Sequence, residues 1–242
     1  MDRSITAEET LTVAASRAIA DGAVCFVGIG APSAAANLAL RTHAPNAVLV
    51  YESGCIGARP DVLPLSIGDG ELAEHALAVV SVPEMFAYWL QGGRIDVGFL
   101  GAAQIDRFAN LNSTVIGPYA HPTTRLPGAG GAPEIAAAAR ETIIVMRHSA
   151  RAFVERLDFV TTVGRGHVTR VITDLGVMEP AEDTRELTLT GVHAGVSVDD
   201  VRRATGWALR VADHVAVLPL PTAHELEVLR DLHARTAAAH VG

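Results

Sequence analysis

The sequence predicts an α/β protein, in which helices flank a mainly parallel sheet within a single domain over residues 1–242. Short apolar runs alternate with segments that carry helix signals, which is the order of strand–helix–strand units. Hydrophobic residues make up 49% of the chain but aromatic residues only 5%. The core must therefore consist of Ala, Val, Leu and Ile, as in buried parallel strands.

Local signals place the elements in order. Thr6 and Glu9 have the spacing of a capping box, which predicts the start of a helix, and Pro32 suits the first turn of a second helix. Short runs of apolar and β-branched residues are predicted to be strands. The predicted elements are a helix over 6–20, a strand over 23–27, a helix over 32–42, a strand over 47–51, a helix over 83–90, strands over 95–100 and 142–146, a short helix over 151–157, strands over 170–173 and 186–190, and helices over 197–205 and 222–239.

The charged residues exclude several classes of protein. All 19 basic residues are arginine, so the chain has no lysine for a Schiff base, a pyridoxal-phosphate anchor or a Walker-type phosphate loop. The formal net charge is −8 and the isoelectric point is about 5.6. This balance argues against binding to nucleic acid or to an anionic membrane.

The cysteine, histidine and hydropathy patterns exclude further classes of protein. With only Cys25 and Cys55, the chain can form no disulfide framework or thiolate zinc site, and its ten histidines show no ligand spacing, so we expect no metal. The chain has no uninterrupted run of about 18 apolar residues, so we expect no membrane span. The polar N-terminal segment has no hydrophobic signal region, so we expect a cytoplasmic protein.

Two segments that follow predicted strands are candidates for chemistry, because ligands of open parallel sheets bind beyond the carboxyl ends of the strands. The loop from Gly28 through Gly30 to Pro32 holds only half of a dinucleotide fingerprint, and either a tight turn or an anion site explains it. Glu52 directly follows an apolar strand, where a charge is costly unless it is solvated or functional. It could act as base, acid or nucleophile, or simply cap the following turn.

Two further polar segments follow later strands. One contains Gln104 and Asn112 and could orient polar groups, although such residues are also ordinary turn formers. The other contains Arg125 and the glycine cluster that includes Gly130 and Gly131. Its amides could bind an anion or oxyanion, and Arg125 could bind a carboxylate or phosphate or be an exposed loop charge.

In order and spacing, these segments resemble the β subunit of family I coenzyme A transferases, most closely the glutaconate CoA-transferase type. The resemblance covers nearly the whole chain, and six motifs in register carry it. The motifs are Gly-x-Gly-x-Pro (28–32), Glu-Ser-Gly (52–54), Gly-x-Ala-Gln-Ile-Asp (101–106), Asn-x-Asn-Ser-Thr (110–114), His-Pro-x-Thr-Arg (121–125) and Gly-x-Gly-Gly-Ala (128–132).

The resemblance implies roles for particular residues. Glu52 matches a nucleophilic glutamate that attacks an acyl-CoA thioester and then carries CoA as a glutamyl thioester, in a ping-pong exchange with a carboxylate. The matching oxyanion or CoA-binding residues are Gly28, Gly30, Gly130, Gly131 and Ala132. The matching substrate-orienting residues are Gln104, Asn112 and Arg125.

The resemblance also implies partners. The site should be completed by an α subunit of the same family, in an α2β2 or larger assembly. Acyl-CoA and a small carboxylic acid would be substrates, and no prosthetic group is implied.

Departures from the family pattern leave alternatives open. The 3-oxoacid branch has asparagine where this chain has Phe26 and Ser53, which favours the glutaconate-like branch over a succinyl/acetoacetate exchanger. An acyl-CoA hydrolase or decarboxylase on the same scaffold, or a catalytically silent partner subunit, would also fit. Cys55 is a weaker nucleophile candidate than Glu52, because no base lies beside it in sequence, and small apolar packing explains it better.

Overall fold

The structure is a computed structural model that describes residues 4–239. The helices are α1 (Ala7–Ser16), α2 (Ala31–Arg41), α3 (Gly70–Glu74), α4 (Val82–Glu84, continued by a π-helix over Met85–Leu90), α5 (Ala132–Ala138), α6 (Val198–Arg203) and α7 (Ala223–Ala239). The strands are β1 (Val24–Phe26), β2 (Val48–Val50), β3 (Cys55–Ile56), β4 (Ala78–Val79), β5 (Val97–Leu100), β6 (Gln104–Ile105), β7 (Leu111–Asn112), β8 (Val115–Ile116), β9 (Thr124–Arg125), β10 (Glu141–Val145), β11 (Val168–Ile172), β12 (Gly176–Pro180), β13 (Leu187–His193) and β14 (Arg210–Leu218).

The chain divides into two compact units. The first runs up to Phe99 and also takes in Ala138–Arg140 and the chain from Pro221 on, and the second comprises Leu100–Ala137 and Glu141–Leu220. Each is an α/β unit, which confirms the predicted fold class. That the chain forms a single domain over 1–242 stays a prediction.

In the first unit the strands lie in the order β4-β3-β2-β1-β5. The central strands β2, β1 and β5 are parallel, with Val24 opposite Val48 and Cys25 opposite Val97, whereas β3 and β4 are antiparallel. The predicted strand–helix–strand order around α2 is therefore confirmed. Parallel strands place the loops that follow β1 and β2 at the same edge of the sheet.

Helices α1, α2 and α7 pack together in the first unit. The residues from Pro32 to Leu40 are all buried, and α2 is rich in alanine, so neighbouring backbones can approach it closely. Val13, Leu38 and Leu229 meet in one apolar cluster with Ala34. Buried on nearly all sides, α2 has a fixed position from which its first turn presents the preceding glycine loop.

In the second unit the strands lie in the order β10-β11-β12-β13-β14. The outer pairs β10–β11 and β13–β14 are parallel, and β12 is antiparallel to both of its neighbours. Two short hairpins, β6–β7 and β8–β9, precede this sheet in sequence. The sheet is mixed because tight turns at 173–176 and 181–186 reverse the chain before and after β12.

The predicted short helix over 151–157 is wrong. The chain there makes turns, and the amide of Val154 donates to the carbonyl of Ile105 while Ile105 donates to Ala152. The Phe153 ring is fully buried and stacks on His148 with ring centroids 3.7 Å apart. This tertiary pairing replaces the hydrogen bonds that would have continued a helix.

Of the helices within residues 4–239, none is long and apolar enough to cross a membrane.

Candidate active site

Glu52 lies in a tight turn between β2 and β3. The amide of Gly54 donates to the carbonyl of Tyr51 at 2.9 Å, and the amide of Tyr51 donates to the carbonyl of Cys55 at 3.0 Å. Gly54 has φ of 100°, and a Cβ there would overlap the carbonyl oxygen of Val80. The Glu-Ser-Gly motif thus has a structural reason: only glycine lets the turn pack against Val80 while Glu52 occupies its tip.

The Glu52 side chain is half-buried. Within residues 4–239 its carboxylate makes no hydrogen bond and no ion pair. The alternative that Glu52 caps the following turn is therefore not what the structure shows. A carboxylate held at a strand end with its acceptor oxygens uncommitted is available to a ligand or a reacting group.

The loop of Gly28 and Gly30 lies at the same sheet edge, because Phe26 of β1 is opposite Val50 of β2. Gly30 has φ of 84° and ψ of −134°, a conformation open essentially to glycine alone. Gly28 differs, since a Cβ there would lie 3.7 Å from the carbonyl oxygen of Phe99, an ordinary contact. The chain itself therefore does not demand glycine at residue 28.

The amides of this loop are unpaired. Among the described residues 4–239, the amides from Gly28 to Ala31 donate no hydrogen bond. They lie just before or at the start of α2, where orphan N–H groups and the helix dipole favour negative charge. The first unit thus brings Gly28, Gly30 and Glu52 to one edge, with donors beside a carboxylate.

In the second unit, Gln104 and Asn112 lie in the β6–β7 hairpin, buried and bonded to each other. The Asn112 Nδ2 atom donates to Gln104 Oε1 and to the carbonyl of Val115, both at 2.7 Å. Its Oδ1 accepts from the amides of Thr114 and Val115. Because Nδ2 has only two hydrogens and makes two hydrogen bonds, the side chain of Asn112 has no free donor. Gln104 Nε2 donates to Asp158 at 3.1 Å. These side chains hold their own loop together.

Arg125 lies in β9 and is exposed. Its Nη2 atom donates to the carbonyl of Tyr119 at 3.3 Å, and its guanidinium lies 4.9 Å from the centre of the Tyr119 ring. The Tyr119 ring in turn stacks with Phe159. No carboxylate of residues 4–239 pairs with Arg125, so most of its donors stay open to an anion.

The glycine cluster before α5 also presents amides. Gly130 has φ of 49°, and the amides of Gly130 and Gly131 donate no hydrogen bond within residues 4–239. The amide of Ala132 donates to the carbonyl of Ala129 at 3.1 Å. Of the three predicted oxyanion residues in this segment, Gly130 and Gly131 therefore have the uncommitted donors.

Other candidate groups have structural partners. Cys55 is buried and accepts a hydrogen bond from the Ser53 hydroxyl at 3.6 Å. Ligand atoms of Glu71, Glu74 and His75 lie within 4.8 Å of one another, but His75 Nε2 lies 3.5 Å from Glu71 Oε1. This close contact explains the cluster, and we assign no metal to it.

A buried polar cluster that no local sequence pattern predicts lies beside the Glu52 turn and is formed by Tyr51, Ser33 and Asn37. Its members are fully buried, at no more than 1% exposure. A polar Asn37 among the alanines of α2 was the available signal, but its partner Tyr51 lies 14 residues away in sequence, where local patterns carry no information.

Comparisons with known proteins show the family of this chain. The family described as Coenzyme A transferase matches residues 8–204. The chain is 57% identical to the B subunit of the 3-oxoadipate CoA-transferase of Pseudomonas knackmussii, over 96% of this chain and 95% of the relative. It is 33% identical to the B subunit of the glutaconate CoA-transferase of Acidaminococcus fermentans, over 93% and 91%.

Solved structures of similar proteins have the same fold as this chain. Glutaconate coenzyme A-transferase from Acidaminococcus fermentans superimposes with a TM-score of 0.86 at 31% identity, over 93% of this chain and 94% of that one. The decarboxylase AibA/AibB superimposes with a TM-score of 0.86 at 28% identity, over 97% and 98%. With most of its length matched in sequence and in fold, this chain belongs to the coenzyme A transferase family, in which it is a B subunit.

Proposed function

We propose that Glu52 is the covalent nucleophile of an enzyme that exchanges CoA between an acyl-CoA and a carboxylate by a ping-pong mechanism. The observation that carries the proposal is the Glu52 carboxylate itself. It is half-buried at a strand end, it has no structural partner in residues 4–239, and it lies beside the unpaired amides of the Gly28–Gly30 loop. Such a position is costly for a charge and is typical of a reacting group.

The exchange proceeds in two halves. A carboxylate oxygen of Glu52 attacks the thioester carbon of the acyl-CoA. The carbon–sulfur bond then breaks, which expels CoA as a thiolate and forms a mixed anhydride between Glu52 and the acyl group. The thiolate then attacks the glutamyl carbonyl carbon of this anhydride and releases the first acid as its carboxylate. The acceptor carboxylate reverses both steps on the glutamyl-CoA thioester, which regenerates Glu52.

Each addition places negative charge on a carbonyl oxygen, and amide donors can stabilise it. We assign this role to the amides of Gly28 and Gly30 and, from the resemblance, to Gly130, Gly131 and Ala132. Removing one such donor typically costs about 10²–10³ in rate. Because the Ala132 amide already donates to Ala129, Gly130 and Gly131 are the stronger candidates in that segment.

The acceptor that we propose is a dicarboxylate of the 3-oxoadipate type. The 57% identity to the B subunit of a 3-oxoadipate CoA-transferase supports this choice. Arg125 would bind the carboxylate that does not react, since its guanidinium has open donors and matches a carboxylate geometrically. Gln104 and Asn112 would orient the substrate indirectly, by fixing the hairpin through the hydrogen bonds they share.

The proposed enzyme is a cytoplasmic heteromer. An α subunit of the same family completes the site, in an α2β2 or larger assembly, and acyl-CoA is a substrate rather than a resident cofactor. The subunit designations of the relatives support this arrangement.

The test is to trap the intermediate. The heteromer is incubated with acyl-CoA and treated with borohydride or hydroxylamine, and the peptide that contains residue 52 is analysed by mass spectrometry. We expect the alcohol or the hydroxamate at Glu52, and near-complete loss of CoA exchange in E52Q. E74Q, which changes an exposed glutamate of α3, is the matched control and should keep its activity. Unmodified Glu52, or an active E52Q enzyme, would refute the proposal.

Product analysis separates the remaining alternatives. A transferase forms a new acyl-CoA only when an acceptor acid is present, whereas a hydrolase releases free CoA without one. A decarboxylase, the activity named for AibA/AibB, would release carbon dioxide.

A further inference from the structure

Directly beside the Glu52 turn, three polar side chains meet where apolar packing would be expected. The Tyr51 hydroxyl lies 3.3 Å from the Ser33 hydroxyl and accepts a hydrogen bond from Asn37 Nδ2 at 3.4 Å. Asn37 Nδ2 also donates to the carbonyl of Ser33 at 3.0 Å. Exposures are 0% for Tyr51 and Asn37 and 1% for Ser33. Burial raises the pKa of Tyr51, so the phenol stays protonated.

Arg41 closes the cluster at its other end. Its Nη1 atom donates to Asn37 Oδ1 at 3.0 Å and to the carbonyl of Asn37 at 3.1 Å. Its Nη2 atom donates to the carbonyl of Pro60 in the segment after β3. The side-chain amide of Asn37 is therefore fixed by hydrogen bonds at both its oxygen and its nitrogen. Its Nδ2 group is held in the orientation that reaches Tyr51.

A buried polar cluster is a costly way to fill this space. Polar groups lose hydration on burial and recover it only if their hydrogen bonds are complete, whereas phenylalanine and alanine at residues 51 and 33 would fill similar volume at no such cost. What the cluster provides is directionality, since hydrogen bonds fix one arrangement of α2 against β2.

The cluster joins the two parts of the proposed site. Tyr51 immediately precedes Glu52, and its amide and carbonyl make the hydrogen bonds that close the turn. Ser33 lies in the first turn of α2, three residues after Gly30. The carbonyl of Gly30 accepts a hydrogen bond from the amide of Ala34. A displacement of the Tyr51 ring would therefore move the nucleophile relative to the amides of the Gly28–Gly30 loop.

We infer that Tyr51 is a positioning residue, whose buried hydroxyl fixes the Glu52 turn against the first turn of α2. This inference rests on the proposed function. Amide donors stabilise a developing oxyanion only when it lies about 2.7–3.1 Å away, and a misplacement of about 1 Å can cost about 100-fold in rate. Tyr51 makes no contact with substrate in this role, so it should act on kcat rather than on KM.

The test is Y51F in the complete heteromer, which removes one oxygen and keeps the ring. We expect kcat to fall about 10–100-fold, with KM for acyl-CoA changed by less than about twofold, because the groups that would bind CoA are intact. The rate of glutamyl-CoA formation in a single turnover should fall by the same factor as kcat. Y88F removes the hydroxyl of a tyrosine that is 63% exposed and is the matched control.

A double-mutant cycle guards against a purely structural effect. If the two hydroxyls act as one unit, S33A should reproduce the kcat loss, and Y51F/S33A should be no slower than the worse single variant. Should Y51F fail to assemble, S33A alone decides the question through the same kcat and KM values. The inference is overturned if the assembled variants keep kcat within about twofold of native while E52Q is inactive; activity in E52Q would instead overturn the proposed function.

Discussion

Arg17, directly after α1, forms a bidentate ion pair with Glu225 of α7, with distances of 2.8 Å from Nε to Oε1 and 2.7 Å from Nη2 to Oε2. A second pair runs the opposite way, from Arg230 of α7 to Glu9 of α1, at 2.6 and 3.2 Å. Each glutamate also closes a capping box at the start of its own helix. The same carboxylates therefore start both helices and join them.

These pairs predict how acid affects the first unit. Hydrogen bonds to Arg230 hold the pKa of Glu9 at about 2. Desolvation raises the pKa of Glu225, but hydrogen bonds to Arg17 and Thr222 outweigh it and hold that pKa at about 2. A lowered carboxyl pKa means that the stability is present above the unfolded value of 4.5 and is lost as the pH falls toward the folded value. Denaturant unfolding between about pH 5.5 and pH 3 should show this loss.

Substitution isolates the contribution of the pair between Arg17 and Glu225. E225Q should lower the free energy of unfolding at neutral pH by about 1–3 kcal/mol and flatten its decline in acid. E8Q alters an exposed neighbour on the first turn of α1 and should do neither. An E225Q profile with the same acid dependence as the native chain would contradict this explanation.

Gly54 should be intolerant of any side chain. G54A introduces a Cβ that would overlap the carbonyl oxygen of Val80, at a φ of 100°, so the Glu52 turn must move. G22A is the matched control, because Gly22 has φ of 80° with open space around it. We expect G22A to cost about 1–2 kcal/mol from backbone strain and G54A to cost more, measured by thermal unfolding. Equal costs would show that the close approach is unimportant.

The strand–helix–strand unit around α2 could be predicted because its signals are local: an apolar run, glycines, a proline at the helix start and a second apolar run. The capping box of Thr6 and Glu9 formed as predicted. The elements that the sequence does not predict depend on pairing between residues that are distant in the chain. Strand β14 has no fully buried residue and so lacks a clear apolar pattern, and the order of 151–157 is set by a bridge between Phe153 and Ile105.

The residues of the candidate site also divide into those that a local sequence pattern reveals and those that it does not. Glu52 could be found because a charge directly after an apolar strand is anomalous in any parallel sheet. The cluster of Tyr51, Ser33 and Asn37 could not, because hydroxyl and amide side chains are common in sequence and become informative only when their hydrogen bonds are seen. We expect the side chain of Asn112 to orient substrate, while the structure commits its hydrogen bonds to Gln104 of the same hairpin and to the adjacent segment 114–115.

His148 predicts a second pH dependence, in the second unit. Its ring is buried, its Nε2 atom lies 3.0 Å from the Thr205 hydroxyl, and it stacks on Phe153. Burial lowers its pKa from 6.5 to about 4, although nearby Asp174 raises it. Because the folded state disfavours the charged ring, stability is full above the unfolded value and is lost as the pH falls toward the folded one. This range is higher than that of the glutamate pairs.

The measurement is the unfolding midpoint at about pH 7 and about pH 5, which lie on either side of the unfolded histidine pKa. H148Q should be less stable than the native chain at the higher pH, because the stacking on Phe153 is lost, and should lose less stability between the two pH values. H121Q changes an exposed histidine and should retain the native difference. If H148Q shows the same difference in stability between the two pH values as the native chain, the His148 ring does not take up a proton on unfolding in this pH range.

Gly28 offers the sharpest distinction between folding and function. The chain does not require glycine there, because its φ is not in the left-handed region and a Cβ would lie 3.7 Å from the Phe99 carbonyl oxygen. G28A should therefore change the free energy of unfolding by less than about 1 kcal/mol. If the loop amides receive a thioester oxygen, the added methyl group obstructs its approach and CoA exchange should fall by about 10-fold or more.

The control for G28A is G70A, which adds the same methyl group to open space at the start of α3 and should leave exchange intact. A G28A enzyme that is stable and slow assigns the glycine to ligand approach. One that is stable and fully active removes this loop from the site, because a bound thioester would have met the methyl group. The pair of variants thus tests the position of the reacting carbonyl without changing any titratable or nucleophilic side chain.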